Sequence, residues 1–427
     1  MKHYKKINKF LVSSKHSKLF NGSLISLITA SYIFRAHPYI LHPQLFAEDG
    51  DVWLSTAYNL GLKSVYQAYN QFLQLFDWLF SLFAVHFVPL QLVPLFYVMS
   101  ALLMFLLLCY YLFSPRSGVL NTNYQRLYVA LSLCLLANAG ELFFNFSNAV
   151  FYLGLVGLFL IIVNKSTKRY VNLIERILFF VLCFTSVFTF IYLIILLIEW
   201  LWYRRKRYYF LACTIAGSIA QVIAYTSYPL QRHNIPLHEI ASRTTGVELY
   251  NQIINPSIRF GRIDINPLTD PISSINFAFI VVVLVGIISL VVFYKSNYKT
   301  KYFLLFCLLM TLISLRSPAD VNSVAAMATS LSGNRYFIYG IIGMFVIWAK
   351  FSQTILRKDI LAVFLLVFFT FASVSSIRHG SFFIHKGLTD LTKDYSAGIT
   401  EFNHNRNKGI KIPENPVGWY IVFNPKK

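Results

Sequence analysis

Apolar runs long enough to cross a bilayer recur along almost the whole chain, among them Leu92–Phe113, Ile177–Trp202 and Phe277–Phe293. Short polar gaps separate them, and this pattern predicts an all-α polytopic integral membrane protein. The first run, about Leu19–Phe34, leads into Arg35-Ala36-His37-Pro38 and not into a small-residue cleavage site, so it reads as a retained first helix. Further helices are expected near Leu127–Ala137, Ala149–Val163, Tyr208–Thr226, Asn276–Tyr294, Tyr302–Leu315, Phe337–Trp348 and Ile360–Ile377. Ile177–Trp202 has basic residues at both ends, so it must double back, with its tip at Ser186-Val187-Phe188-Thr189. An amphipathic stretch near Val52–Tyr66 precedes Phe72–Val88, which carries Asp77 and His86 and ends at Pro89. A full span there would put Arg116 and Arg126 outside, so Phe72–Val88 reads as an interfacial or re-entrant helix, and Asp77 with His86 as a buried polar pair.

Charge orients these helices. Six gaps (Lys2–Lys18, Arg116–Arg126, Lys165–Arg176, Arg204–Arg207, Lys295–Lys301 and Lys350–Lys358) hold 22 of the 38 lysines and arginines. Of the 17 acids only Glu175, Glu199 and Asp359 lie in or beside them. This is the bias of cytoplasmic loops. Placing the gaps inside gives about eleven crossings, a cytoplasmic N-terminus and one transmembrane domain over residues 1–427. The outer regions are then a first loop (41–91), a large loop (227–275) and a C-terminal tail (378–427). The net charge of +21 is therefore topological, and nucleic acid is not an expected partner. All five cysteines sit inside apolar segments without metal-ligand spacing, so neither a disulfide nor a zinc site is expected.

One stretch breaks the pattern. Glu48, Asp49 and Asp51 fall within four residues just after the first helix. Adjacent carboxylates repel, which tends to leave one with a raised pKa, and such a group beside apolar surface suits general-base work on a hydroxyl. Gly50 would turn the backbone so that Glu48 and Asp49 face a cavity with Trp53 packed below. The plainer alternative is that these acids are solvated, or cap the helix starting near Val52, a role that fits Asp51. Glu141, Asn145 and Asn148 lie among Phe143, Phe144 and Phe146, a mixture suited to sugar hydroxyls and ring faces; helix capping explains the same residues equally well. The large loop supplies Arg232, His233, His238, Arg243, Arg259 and Arg262, which could hold a phosphate, bind headgroups, or pair with Glu239 and Glu248. Arg335 stands where an outer loop enters a helix, a costly place for a charge without a purpose. No HExxH, Walker loop or GxSxG element supports hydrolase or nucleotide chemistry.

Taken together, Ala47-Glu48-Asp49-Gly50, the Glu141/Asn145/Asn148 spacing, Gly333-Asn334-Arg335-Tyr336-Phe337 and the tail Ile412-Pro413-Glu414-Asn415-Pro416-Val417-Gly418-Trp419 resemble bacterial GT-C-type membrane glycosyltransferases. The likeness is to phage-type glucosyltransferases that convert O-antigen serotype. One departure is Tyr69-Asn70-Gln71 followed by Asp77, where relatives often carry a Gly-Tyr and a Pro-Arg pair.

The resemblance implies transfer of a hexose, with glucose first, from a polyprenyl-phosphate donor to a lipid-linked polysaccharide at the periplasmic face of the bacterial inner membrane. Glu48 or Asp49 would be the base, and Arg335, Arg232, Arg243, Arg259 and Arg262 would hold the donor phosphate. Trp53, Glu141, Asn145, Asn148, Tyr336 and His233 would contact sugar or acceptor. No cofactor is required, although a divalent ion (Mg or Mn) on Asp49 and Asp51 is left open. A flippase and a polyprenyl-phosphate sugar synthase would act upstream. The rival readings are a polysaccharide polymerase and a non-enzymatic lipid-sugar flippase or transporter. The first has no need of an early acidic pair; the second should show internal symmetry and charges within the spans.

Overall fold

The computed structural model describes residues 17–134, 145–204, 207–228, 243–255, 270–316, 337–354 and 390–425. Almost every element in them is helical. In chain order they are α1 (Ser17–Leu41), α2 (Ser55–Leu60), the two-residue strands β1 (Ala68–Tyr69) and β2 (Phe72–Leu73), α3 (Leu75–Phe87) and α4 (Val93–Phe113). There follow α5 (Asn123–Cys134), α6 (Phe146–Ile162), α7 (Arg169–Cys183), α8 (Phe188–Tyr203), α9 (Tyr208–Ser227) and α10 (Arg243–Leu249). The rest are α11 (Ile272–Lys295), α12 (Tyr298–Arg316), α13 (Ile338–Thr354), α14 (Thr392–His404), β3 (Ile410–Glu414) and β4 (Trp419–Phe423).

Among the described residues, four helices are long and apolar enough to cross a membrane: Leu90–Phe113, Tyr208–Ser227, Ile272–Lys295 and Tyr298–Arg316. Leu75–Phe87, Phe146–Ile162, Phe188–Tyr203 and Ile338–Ser352 are apolar but shorter. The chain is thus a mostly helical membrane protein. The helix expected at Ile360–Ile377 lies outside the described residues. Helix α11 shows why these elements belong in lipid: Ile280, Leu284, Ile287 and Leu290 are all more than half exposed, a surface that water would not tolerate.

Helix α6 is the axis of the fold. Nearly all its side chains are buried, and it packs along α4, whose face of Tyr97, Ala101, Phe105, Leu108 and Leu112 is equally buried. Its 17 residues span about 25 Å at 1.5 Å per residue. At its C-terminal end the basic gaps converge. Arg116 forks onto Glu175 at 2.7 and 2.9 Å, Tyr111 Oη donates to the same carboxylate at 3.2 Å, and Lys299 Nζ donates to the Arg116 carbonyl and to Asn164 Oδ1, both at 2.9 Å. Asn297 Nδ2 adds a bond to the Gly118 carbonyl at 3.0 Å. Segments following α4, α6 and α11 therefore share one end of the bundle. The acidic loop sits at the other end of α6.

Around that second end the expected elements take more particular forms. The doubling back within 177–202 occurs at 184–187, where Ser186 has φ +64 and its N–H donates to the Leu73 carbonyl at 2.8 Å. Helices α7 and α8, of 15 and 16 residues, are each short of the roughly 20 that a full span needs. Val52–Tyr66 is not one amphipathic helix: a π turn at Gly50–Leu54 leads into α2 and then a 3₁₀ turn at Gly61–Tyr66. Strands β1 and β2 form a tight hairpin whose turn residues Asn70 and Gln71 both have positive φ, as a type I′ turn requires. The C-terminal tail folds as well. Strands β3 and β4 pair antiparallel, and Ile412, Ile421 and Phe423 bury against Ile399 and Phe402 of α14.

His86 and Asp77 do not form a pair. Both lie on α3, but His86 is exposed and bonds the Leu82 carbonyl at 2.8 Å, whereas Asp77 is buried in the first helical turn.

Candidate active site

The acidic loop is built by contacts that lie far apart in sequence. Phe46 bridges to Asn415 in parallel register, and the Ala47 N–H donates to the Asn415 carbonyl at 2.5 Å. Ala47 itself has φ +50, an unfavourable conformation for a residue with a Cβ, held here by that bond. Asn415 Nδ2 also donates to Gln44 Oε1 at 2.6 Å, Ser55 Oγ receives the Val422 N–H at 2.9 Å, and Asn59 bonds both Val422 and Asn424. The C-terminal hairpin thus clamps residues 44–59. Gly50 is required by proximity and not by a turn. Its backbone is right-handed helical at φ −93, but a Cβ there would overlap the Glu414 carboxylate and Ile421. Asp51 is exposed within the π turn and caps nothing, which corrects the capping role expected of it.

Asp49 points inward. One of its oxygens accepts the Phe146 N–H at 3.0 Å; the other accepts the Ser147 N–H at 2.9 Å and Ser147 Oγ at 2.5 Å. It caps α6 from a distant loop, supplying acceptors to orphan N–H groups at the positive end of the helix. The proton arrangement is fixed. Trp53 Nε1 can only donate and does so to Ser147 Oγ at 2.6 Å, so the Ser147 proton must go to Asp49. Burial pushes the Asp49 pKa up to about 7; the bonds from Ser147 and Phe146 oppose that rise and the charge of Glu48 adds to it. Glu414 is also buried. Its pKa rises to about 9, by burial first and then by Asp49 and Asp51, while the N–H groups of Gly50 and Asp51 face it without a well-formed hydrogen bond to either oxygen.

Glu48 faces the other way. It is half-buried, receives Tyr69 Oη at 3.2 Å, and lines a cavity of about 90 Å³ together with Trp53, Tyr69, Asp77, Asn148 and Phe188. The tip between α7 and α8 contributes Ser186 and Val187, and α12 contributes Met310, Ile313 and Ser314. Trp53 meets Tyr69 and Trp78 edge-on, at 5.1 and 4.7 Å between ring centroids, which fixes its ring as a wall. Asp77 is buried with neither oxygen bonded to another residue; α3 is too short to span, and burial raises its pKa, with Asp49 adding to the effect. A second, apolar groove of about 450 Å³ opens between α11, α12, α13 and the helical stretch through Ile254, lined by Leu249, Val285, Leu308 and Met344 among others.

Of the expected site residues, the structure brings Glu48, Trp53 and Asn148 to one cavity and sets Asp49 directly behind it. Asn145 caps α6, its Oδ1 accepting the Asn148 N–H at 2.9 Å, while Asn148 Nδ2 is buried and unbonded. Arg243 opens α10. Its side chain, like Arg232, His233, His238, Glu239, Arg259, Arg262, Glu141, Arg335 and Tyr336, lies outside the described residues. Glu248 is fully buried, among the described residues nothing bonds either of its oxygens, and burial lifts its pKa to about 8. Sequence reasoning gave no site role to Ser147, Tyr69, Gln74 or Glu414, although Tyr69 and Glu414 fall in stretches that the resemblance singled out. No family model, curated protein or solved structure matches the chain.

Proposed function

We propose that this chain is a GT-C-like membrane glycosyltransferase, one transmembrane domain that moves a hexose from a polyprenyl phosphate to a surface polysaccharide at the outer face of the bacterial inner membrane. The observation that carries the reading is Glu48. It is the carboxylate of the acidic pair that opens on a cavity walled by aromatic and amide side chains. That cavity lies about one helix length from the basic gaps, which the positive-inside rule assigns to the cytoplasm. An eleven-crossing topology, which follows from the same rule, would leave the C-terminal tail on the side of this cavity.

In this reading Glu48 takes the proton of an acceptor hydroxyl, whose oxygen attacks the anomeric carbon. The bond from that carbon to the lipid phosphate breaks, the phosphate leaves with the electron pair, and a single displacement inverts the anomeric centre. Asp49 serves differently from the alternative base first expected. Three hydrogen bonds from Phe146 and Ser147 already hold it, so in this reading it fixes the loop that aims Glu48. The lipid tail would occupy the apolar groove beside α12, and Arg335 with the large-loop arginines would meet the phosphate, where charge develops. Glu48 would need no metal for the proton transfer, and a divalent ion on Asp49 would compete with the Ser147 bonds.

The test is transfer of labelled glucose from a short-chain polyprenyl-phosphate glucose to O-antigen-bearing lipid in vesicles that contain the protein. Labelled polysaccharide is expected. Its absence, with donor and acceptor both present and the protein folded, would remove the reading.

A further inference from the structure

Among the groups that line the cavity beneath Glu48 and that the reaction above does not use, Asp77, Asn148 and Gln74 each hold a buried polar atom without a hydrogen bond. Asp77, 1% exposed, has no hydrogen bond from another residue to either oxygen. Asn148, 6% exposed, has its Nδ2 equally unbonded, although its backbone is held by Asn145. Both line the same cavity, on α3 and α6 respectively, with the rings of Trp53, Tyr69, Phe151 and Phe188 around them. A buried carboxyl group and a buried amide left without partners each cost free energy that folding alone does not recover.

The chemistry of the walls narrows the occupant. Among the described lining residues there is no lysine, arginine or histidine, while Glu48 and Asp77 both face the cavity and Asp49 lies behind. These acids disfavour an anion, so this reading places the donor phosphate outside the cavity. An apolar occupant would leave Asp77 and Asn148 unsatisfied. Hydroxyl groups both donate and accept, so they can serve a carboxyl and an amide together, and the C–H faces of a sugar ring suit the aromatic walls. The volume matches about three waters at roughly 30 Å³ each, enough for one hydroxyl-bearing edge of a pyranose.

We infer that Asp77 and Asn148 form a hydroxyl-recognition pair that binds one edge of a neutral pyranose and selects it by the position of its hydroxyls. This deepens the glycosyltransferase reading and rests on it. Asp77 is then a specificity residue distinct from the base, Glu48.

The test uses citronellyl-phosphate-linked glucose and its monodeoxy analogues as probes, titrated calorimetrically into the full-length protein in lipid nanodiscs. Wild type is expected to bind the parent probe and to bind at least one deoxy analogue about tenfold or more weakly, the equivalent of one lost hydrogen bond to a buried group. Asp77→Leu removes both oxygens, and because its larger side chain also fills part of the cavity, the readout is the ratio of parent to analogue binding and not affinity alone. It should melt at a higher temperature than wild type, because an unpartnered buried carboxyl is gone, and yet lose the discrimination between parent and that analogue. Asn148→Ala takes its place in the comparison if Asp77→Leu does not fold. Equal binding of the parent and every deoxy analogue by wild type would overturn the recognition pair and leave the glycosyltransferase reading standing. So would full discrimination retained in Asp77→Leu. Failure of wild type to bind any probe would overturn both.

Discussion

A methyl group on Gly50 would overlap the carboxylate of Glu414 and the Ile421 side chain, so the acidic loop and the C-terminal hairpin meet at a contact where a Cβ would force both side chains to move. The hairpin holds Ala47 in its left-handed conformation through Asn415, and Glu48 follows directly. The last residues of the chain thereby set the direction of the carboxylate that faces the cavity.

Gly50→Ala should therefore undock the hairpin. Hydrogen exchange at the amides of Val422 and Asn424, which Ser55 and Asn59 protect, should rise by at least about tenfold. Gly22→Ala is the control, since a Cβ there meets nothing within 4 Å. Unchanged protection in Gly50→Ala would mean that the contact does not hold the hairpin.

Docking should also weaken as the pH rises. Glu414 has its pKa lifted from an ordinary 4.5 to about 9 in the folded chain. A raised carboxyl pKa contributes stability that is complete below pH 4.5 and is lost as the pH passes through about 9. Asp49, lifted to about 7, acts in the same sense at lower pH. The melting temperature should fall between about pH 4.5 and about pH 9 in wild type and fall less in Glu414→Gln. Equal slopes in the two proteins would exclude Glu414 as the source.

Asp49→Asn should destabilise the protein, by about 1–3 kcal/mol, because an amide group must then face three donors. Ser147→Ala should cost less, removing one hydroxyl bond to Asp49 and the acceptor of Trp53 Nε1. Denaturation in detergent measures both. Wild-type stability in Asp49→Asn would show that the cap is energetically idle.

Orientation can be read by cysteine labelling, since the five native cysteines are all buried. Lys408→Cys, exposed near the hairpin, should react with a membrane-impermeant thiol reagent added to intact cells. Lys165→Cys, exposed at the basic end, should react only after lysis. The reverse result would invert the topology.

How far the sequence announced this structure depends on the distance over which each feature is decided. Helices such as Val93–Phe113 and Ile272–Lys295 were legible because composition within one segment decides them. The reversal at 184–187 was legible because basic residues flank both sides. The division of labour between Glu48 and Asp49 was not, because it depends on Ser147, almost a hundred positions away. Asp49 read as an alternative base because its neighbour Glu48 is acidic, whereas its three hydrogen bonds come from Phe146 and Ser147. His86 and Asp77 looked like partners because both are polar in an apolar helix, but nine positions along a helix turn them to different surroundings. The role of Gly50 was misread as a turn, since only the folded hairpin brings Glu414 to it.

The central claim is that Glu48 is the base, and Glu48→Gln tests it most directly. Glutamine keeps the shape and can still accept Tyr69 Oη, so the fold should persist with an unchanged melting temperature. Transfer of labelled hexose from polyprenyl phosphate to polysaccharide, measured by mass spectrometry of the product, should drop at least about a hundredfold, the usual contribution of a general base. Product at wild-type level from folded Glu48→Gln would contradict the account.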